Sequence, residues 1–180
     1  MILKRLTQEE FPMFKKSLTV ILTLIMALSL SSVTALAGGM EEDETLVLAD
    51  KGPHFYMTNV AKLAQINPNF RTAIWTGDLL QAAVMSIPVH GEIGLEVHEK
   101  EDQLIFIVSG SGTIHAGPSR DDLNIHKSFS QGSGIFIPVG MWHNIYNGGS
   151  EPLKIFTVYA PPHHPHGTVH ETKMIAEAEH

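Results

Sequence analysis

The residues best suited to chemistry are a glutamate and a histidine separated by one position, Glu96 and His98, with Gln103 shortly after them. Alternate side chains of a β-strand share a face, so Glu96 and His98 are expected to point the same way. The apolar run 104–108 predicts a second, buried strand, and the charged residues 99–102 predict a solvated hairpin loop between the two. Carboxylate and imidazole groups converging at one end of two strands outline a metal site.

A second stretch of similar character lies at residues 132–147. The apolar run 135–139 predicts a strand that turns through Pro-Val-Gly at 138–140 into another strand, which carries His143. Together with residues 91–110, this stretch resembles the paired motifs of the cupin superfamily. The resemblance implies a small barrel whose interior is lined by the motif residues and holds a metal ion.

The two motifs are kept to different degrees. The second keeps the cupin spacing through His143 to its final asparagine, whereas the first is changed at two liganding positions. Glu96 stands where a histidine belongs and Gln103 where a glutamate belongs, while His98 is in place. Asp102 is the other spacing option for the glutamate, but the glycine that should follow does not fit it. The resemblance therefore implies a metal held by Glu96, His98, Gln103 and His143.

Such a ligand set limits the chemistry. Two imidazoles and one carboxylate with open positions are typical of non-haem Fe(II) sites, and Mn(II), Ni(II) or Zn(II) could also bind. Gln103 adds a weaker oxygen donor, and it cannot serve as a general base because its amide has no useful proton affinity near neutral pH. A divalent metal ion is therefore the expected cofactor, and no catalytic residue is assigned.

The pattern of the remaining chain predicts an all-β protein. Short strands punctuated by Gly and Pro turns are typical of a sandwich or barrel, and the resemblance selects the small double-stranded β-helix of cupins, a jelly-roll barrel. The predicted strands cover residues 72–76, 79–87, 93–98, 104–108, 113–116, 135–139, 143–146 and 154–159.

A helix is predicted near each end of this barrel. The first follows Asn59 and is ended by the Asn-Pro-Asn sequence at 67–69. The second is predicted from a capping pattern, Thr168 followed three residues later by Glu171, and ends near Glu179.

Residues 1–37 have the order of a secretory signal peptide: two lysines at 15–16, an apolar run over 18–33, and Ala-Leu-Ala before a predicted cleavage after Ala37. A membrane anchor is the alternative, but the run is shorter than the roughly 20 residues of a span. Met13 is an alternative start to Met1. The mature protein is expected to be secreted or periplasmic, with no stable membrane span.

Residues 38–54 are interpreted as an acidic linker and residues 55–180 as one cupin domain with a helical tail. The chain has no cysteine and a net charge of −7, and removal of the leader takes away four basic and two acidic residues. The acidic charge argues against nucleic acid and anionic membranes as partners. Only Arg71 and Arg120 remain as arginines, which disfavours phosphorylated substrates and favours a small neutral molecule.

The segment 159–170 concentrates proline and histidine. A His-rich tract can bind metal, and the alternative is an extended, proline-stiffened segment that leaves the barrel. Its role stays open from the sequence. The histidines are His163, His164, His166 and His170.

Self-association as a homodimer is expected, because both faces of the predicted strand 104–108 are apolar and an uncovered apolar sheet face is unusual in a monomer.

Three functions remain open: a metal-dependent oxygenase, isomerase or lyase, a non-catalytic metal or ligand-binding module, and a structural protein with a degenerate metal site. The C-terminal part resembles the mannose-6-phosphate isomerase-like cupins, a likeness at the level of the fold. Export and the scarcity of arginine disfavour a hexose-phosphate isomerase.

Overall fold

A computed structural model describes residues 46–179. The predicted signal peptide 1–37 and the first part of the linker lie outside the described residues. In the described part of the chain, no helix has the length and apolar character needed to cross a membrane. Its elements are β1 (Arg71–Thr76), β2 (Gln81–Ile87), β3 (Asp102–Ser109), β4 (Ser111–Gly117), β5 (Ile125–Ser130), β6 (Gly134–Ile137), β7 (Trp142–Asn147), β8 (Leu153–Ala160) and β9 (Val169–His170), with helices α1 (Val60–Ile66) and α2 (Lys173–Ala178).

The strands form two antiparallel sheets that share one core. The larger sheet has the order β6-β3-β8-β2-β1-β9 and the smaller has the order β5-β4-β7. Alternate side chains of each strand point inward, and apolar residues from both sheets pack together. This arrangement confirms the all-β double-stranded β-helix, with one short helix before the first strand and one after the last. The shared core includes Met85, Ile105, Ile107, Ile114, Ile145 and Ile155.

Helix α1 begins and ends where the sequence predicts. The side chain of Asn59 accepts a hydrogen bond from the N–H of Lys62, and Asn67 is the C-cap. Its buried residues Leu63 and Ala64 belong to a second apolar cluster that includes side chains of β1 and β2. The end of the acidic linker contributes to the same cluster through Leu46 and Leu48.

The predicted strand 93–98 is wrong, and so is the hairpin that was expected to join it to β3. This segment makes only isolated bridges to β7, of which Glu96 with His143 is one. Gly94 has φ +112°, a left-handed conformation that glycine tolerates and that interrupts an extended run. Strand β3 pairs with β6 and β8 instead, and it already includes Asp102.

Three further features differ from the sequence expectations. Strand β5 was not predicted because Phe129 is its only buried side chain, so it lacks apolar alternation. Strand β9 has two residues and carries no pattern. Helix α2 begins at Lys173, and its N-cap is Thr172, whose side chain accepts from the N–H of Ile175. The expected cap Thr168 instead bonds within the preceding turn.

Candidate metal centre

Three of the four predicted ligands come together inside the barrel. His143 lies in β7, and the segment carrying Glu96 and His98 runs beside it. The backbone N–H of each of Glu96 and His143 donates to the carbonyl of the other, at 3.0 and 2.9 Å. The N–H of Gly140 donates to the carbonyl of His98 at 2.8 Å. Backbone hydrogen bonds to β7 and its preceding turn, and not strand alternation, therefore position the three side chains.

The donor atoms lie at separations that suit a shared metal ion. Glu96 Oε1 is 3.3 Å from His143 Nε2 and 3.5 Å from His98 Nε2. With ligand bonds of about 2.1 Å, two ligands of one ion lie about 3.0 to 3.4 Å apart across octahedral to tetrahedral angles. The three groups therefore fit a divalent ion, and the donor set suits several transition metals.

The ring of His143 is held in one orientation by a hydrogen bond. Its Nδ1 lies 2.9 Å from the carbonyl oxygen of Met141, which can only accept, so Nδ1 carries the proton. In the neutral ring, Nε2 then presents a lone pair towards Glu96. Two acceptors at that distance repel each other unless a proton or a metal cation lies between them. A hydrogen bond from the ring nitrogen that does not face the metal, such as the one from Nδ1 to Met141, is typical of a metal-binding histidine.

Glu96 is held in its ionised form. Its side chain is 25% exposed. Burial by itself would raise the pKa of this carboxyl group, but His143 and His98, in their protonated forms, lower the pKa well below its usual range. An ionised carboxylate is the form that binds a metal ion. At neutral pH the site therefore offers one anionic oxygen donor.

Gln103 is buried on β3. Its Nε2 donates to Thr157 Oγ1 at 3.2 Å, and the Thr157 hydroxyl donates to the carbonyl of Leu104 at 3.0 Å. Among the described residues, Oε1 of Gln103 has no hydrogen-bond partner. The amide is thus fixed by its NH₂ group, and its oxygen is left for another donor. Its role as a fourth ligand stays a prediction.

The His-rich tail packs against the site and does not leave the barrel. The rings of His163 and His98 have centroids 4.4 Å apart at 74°, and His163 Nδ1 is 3.5 Å from Glu101 Oε1. The backbone N–H and carbonyl of His164 bind the side-chain amide of Gln81. Glu101, expected in a solvated loop, is half-buried. With His98 and His163 it forms a second group that could hold a metal ion.

Two polar residues of the interior were missed by the sequence analysis, Arg71 of β1 and Tyr159 of β8, and both are buried. The Tyr159 ring meets the His98 ring edge-on with centroids 5.5 Å apart. Burial raises the pKa of the Tyr159 hydroxyl, and the charge of Arg71 acts in the opposite direction. The alternation of β8 would have placed Tyr159 inward together with Thr157. No signal in the sequence marked Arg71 as an interior residue.

Comparison with known proteins agrees with this architecture. The family model of the cupin domain matches residues 83–159. The protein YrkC of Bacillus subtilis is 44% identical over 137 residues, which are 76% of this chain and 74% of YrkC. The crystal structure of BH2720 from Bacillus halodurans has 45% sequence identity and a TM-score of 0.71, and the match covers 72% of this chain and 98% of that one.

These similarities and the two-sheet fold point to the same family. The predicted mannose-6-phosphate isomerase-like subfamily stays a prediction, because the matches are to the cupin domain as a whole. The chain belongs to the cupin superfamily.

Proposed function

We propose that this cupin binds a divalent metal ion through Glu96, His98 and His143, and that the ion coordinates a small molecule inside the barrel. The observation that carries the proposal is the contact of one carboxylate oxygen with two imidazole nitrogens, at 3.3 and 3.5 Å. His143 turns a lone pair towards that oxygen in its neutral form, so a cation is the natural occupant of the space.

The side chains divide the work at this site. A divalent ion bound there would act as a Lewis acid on an oxygen of the ligand. Glu96 supplies negative charge, and the hydrogen bond to the carbonyl of Met141 fixes the orientation of the His143 ring. Gln103 offers Oε1 as an acceptor for a ligand hydroxyl or amide, but it does not move a proton.

A non-catalytic binding protein is the second candidate. Gln103 favours it, because an amide, which cannot act as a general base, replaces the carboxylate that the cupin motif has at this position. An enzyme would be an oxygenase, isomerase or lyase. Oxygen uptake or product formation by the metal-loaded protein with a substrate panel distinguishes the enzyme from the binding protein.

Metal content tests the proposal directly. Elemental analysis of protein purified without chelator or affinity tag should find about one divalent transition-metal ion per chain, because three strong ligands fill about half of an octahedral shell. Treatment with a chelator should remove the ion and lower the unfolding temperature, since the folded state alone binds it. Protein that carries no metal, and takes up none when it is supplied, would refute the proposal.

We also propose that two copies associate through the outer face of β6, β3 and β8. Helix α1 and the segment before it cover one part of the outer face of the larger sheet, in a cluster that reaches Val108 of β3 and Phe156 of β8. Towards β6, the edge strand, apolar side chains remain exposed. Phe136 is 78% exposed and Phe106 38%, and Leu104 and Val158 line a groove beside Phe136. An apolar patch at a sheet edge is a surface that a second copy can bury.

Phe136→Asp should convert a dimer into a monomer at micromolar concentration. The change removes a large apolar contact and places a charge in the interface, so the dissociation constant should rise by about 100-fold or more. Light scattering measures the mass. Phe55→Asp is the matched control, because Phe55 is 94% exposed and precedes α1. A parent protein that is monomeric, or a Phe136→Asp protein as dimeric as the parent, would contradict this interface.

A further inference from the structure

Arg71 is a buried cation whose charge is not matched in the described structure. It is 3% exposed at the start of β1. An arginine side chain stays protonated in proteins. Among residues 46–179 no carboxylate lies within ion-pair distance of it. Burying a charge without a counter-ion costs folding free energy. Packing alone therefore does not explain the position of Arg71.

One side of the guanidinium group is held in place by the C-terminal part of the chain. Arg71 Nη1 lies 3.4 Å from His170 Nδ1, and His170 Nε2 lies 2.9 Å from Glu179 Oε2. Because Arg71 can only donate, His170 accepts at Nδ1 and donates from Nε2 to Glu179. This chain fixes the position of the cation without neutralising it through a direct carboxylate contact.

The carbon of the guanidinium group lies 5.3 Å from the centroid of the Phe70 ring, a cation–π contact that supplies no counter-ion. Nε of Arg71 is buried and has no hydrogen-bond partner among the described residues. The hydroxyl of Tyr159 is in the same condition. The ring of His164 connects the two groups: its centroid lies 5.2 Å from that of Tyr159 and 5.9 Å from that of His170, which contacts Arg71. Two buried donors without a hydrogen-bond partner among the described residues thus belong to one connected group of side chains.

Side-chain contacts connect these donors to the metal ligands. The ring of Tyr159 contacts the ring of His98 edge-on, with centroids 5.5 Å apart. In the sheet register, Tyr159 lies opposite Gln103, whose Oε1 is likewise buried without a partner among the described residues. A single small molecule could therefore reach the donors of Arg71 and Tyr159 and the proposed metal position.

We propose that the ligand of this cupin is a small organic carboxylate, bound by Arg71 Nε and the Tyr159 hydroxyl while another of its oxygens faces the metal. A carboxylate accepts hydrogen bonds from guanidinium and phenol groups, and it supplies a negative counter-charge for the buried Arg71. The metal half of this statement rests on the function proposed above. It revises the expectation of a neutral ligand, which came from the scarcity of arginine in the sequence.

The experiment compares two acids with their neutral amides. Lactate and mandelate carry a carboxylate and an adjacent hydroxyl, and lactamide and mandelamide replace only the charge. Titration calorimetry on metal-loaded protein should show at least one acid bound about 10- to 100-fold more tightly than its amide, as expected for hydrogen bonds to a charged group. Equal binding of acid and amide, or no binding of either acid, would overturn the proposal.

Variants assign the preference to its residues. Arg71→Gln should remove the preference for the acid while leaving metal affinity within about twofold of the parent. Arg71→Lys should keep part of the preference for the acid, since the charge stays but the planar donor group is lost. Tyr159→Phe removes one donor with little change in volume and should weaken the acid by about tenfold. Arg120→Gln is the control, because Arg120 is exposed and lies over the ring of Trp142; it should match the parent.

The outcomes separate this inference from the metal proposal. A preference for the acid that survives in Arg71→Gln, with circular dichroism confirming its fold, would overturn the role of Arg71. Absence of metal uptake by the parent protein would refute the metal site but not the role of Arg71. The titrations are therefore repeated on chelator-treated protein, where an Arg71-dependent preference for the acid should persist in weaker form and where its absence would count against the inference.

Discussion

Replacing His143 by Ala should reduce the affinity for a divalent metal by about 100-fold or more while the barrel stays folded. The variant leaves Glu96 and His98 as the strong donors of the triad. Loss of a group that merely supports a ligand already costs about 10- to 100-fold, so loss of a ligand should cost at least as much. The fold should survive because its apolar core is formed by other side chains of both sheets. Titration calorimetry on chelator-treated protein measures the affinity.

His98→Ala should have an effect of the same size, because its Nε2 contacts the same oxygen of Glu96. The matched control is His126→Ala on β5, an exposed histidine whose ring contacts His115 on the smaller sheet. This control should bind metal like the parent, and all three variants should remain cooperatively folded in thermal unfolding. If His98→Ala and His143→Ala bind metal as tightly as the parent, the site lies elsewhere. The tail histidines His163, His164 and His166 would be tested next.

Gln103→Glu should have the opposite effect and tighten binding of a hard ion such as Mn(II), on the order of tenfold. The substitution keeps the size of the side chain and adds a second carboxylate to the interior of the barrel. It also replaces the NH₂ group that binds Thr157. The Thr157 hydroxyl, which now donates to Leu104, would have to turn towards the new carboxylate, and this rearrangement limits the gain.

The dependence on pH separates this effect from a general change in charge. The gain of Gln103→Glu should shrink as the pH falls, because the added carboxylate becomes protonated and no longer binds the ion. Gln81→Glu is the control, since Gln81 is also a buried glutamine but its amide is held by the backbone of His164. It should leave the Mn(II) affinity near that of the parent. Equal Mn(II) affinity for the parent and Gln103→Glu would place residue 103 out of reach of the metal.

Local chemistry in the sequence determined the elements whose signals are local. Asn59 predicted the start of α1, because a side-chain oxygen at that position satisfies an N–H of the first helical turn. Apolar runs and glycine or proline turns predicted most strands of the sandwich. The cupin spacing predicted that Glu96, His98 and His143 belong together, and the structure brings them into one group. The motif spacing predicts the grouping because it sets the number of residues between each ligand and the neighbouring turn.

The tertiary structure decided what depends on contacts between distant parts of the chain. The segment of Glu96 and His98 is held by β7 and not by a strand pairing of its own, because Gly94 interrupts it. The packing of His163 against His98 depends on how the chain returns after β8, which no local pattern encodes. Arg71 is interior because β1 pairs with β2 and β9 inside the larger sheet. His170 of β9 then accepts a hydrogen bond from Nη1 of Arg71. A charged residue at a strand end carries no sequence signal for burial, since the burial comes from strands far away in the chain.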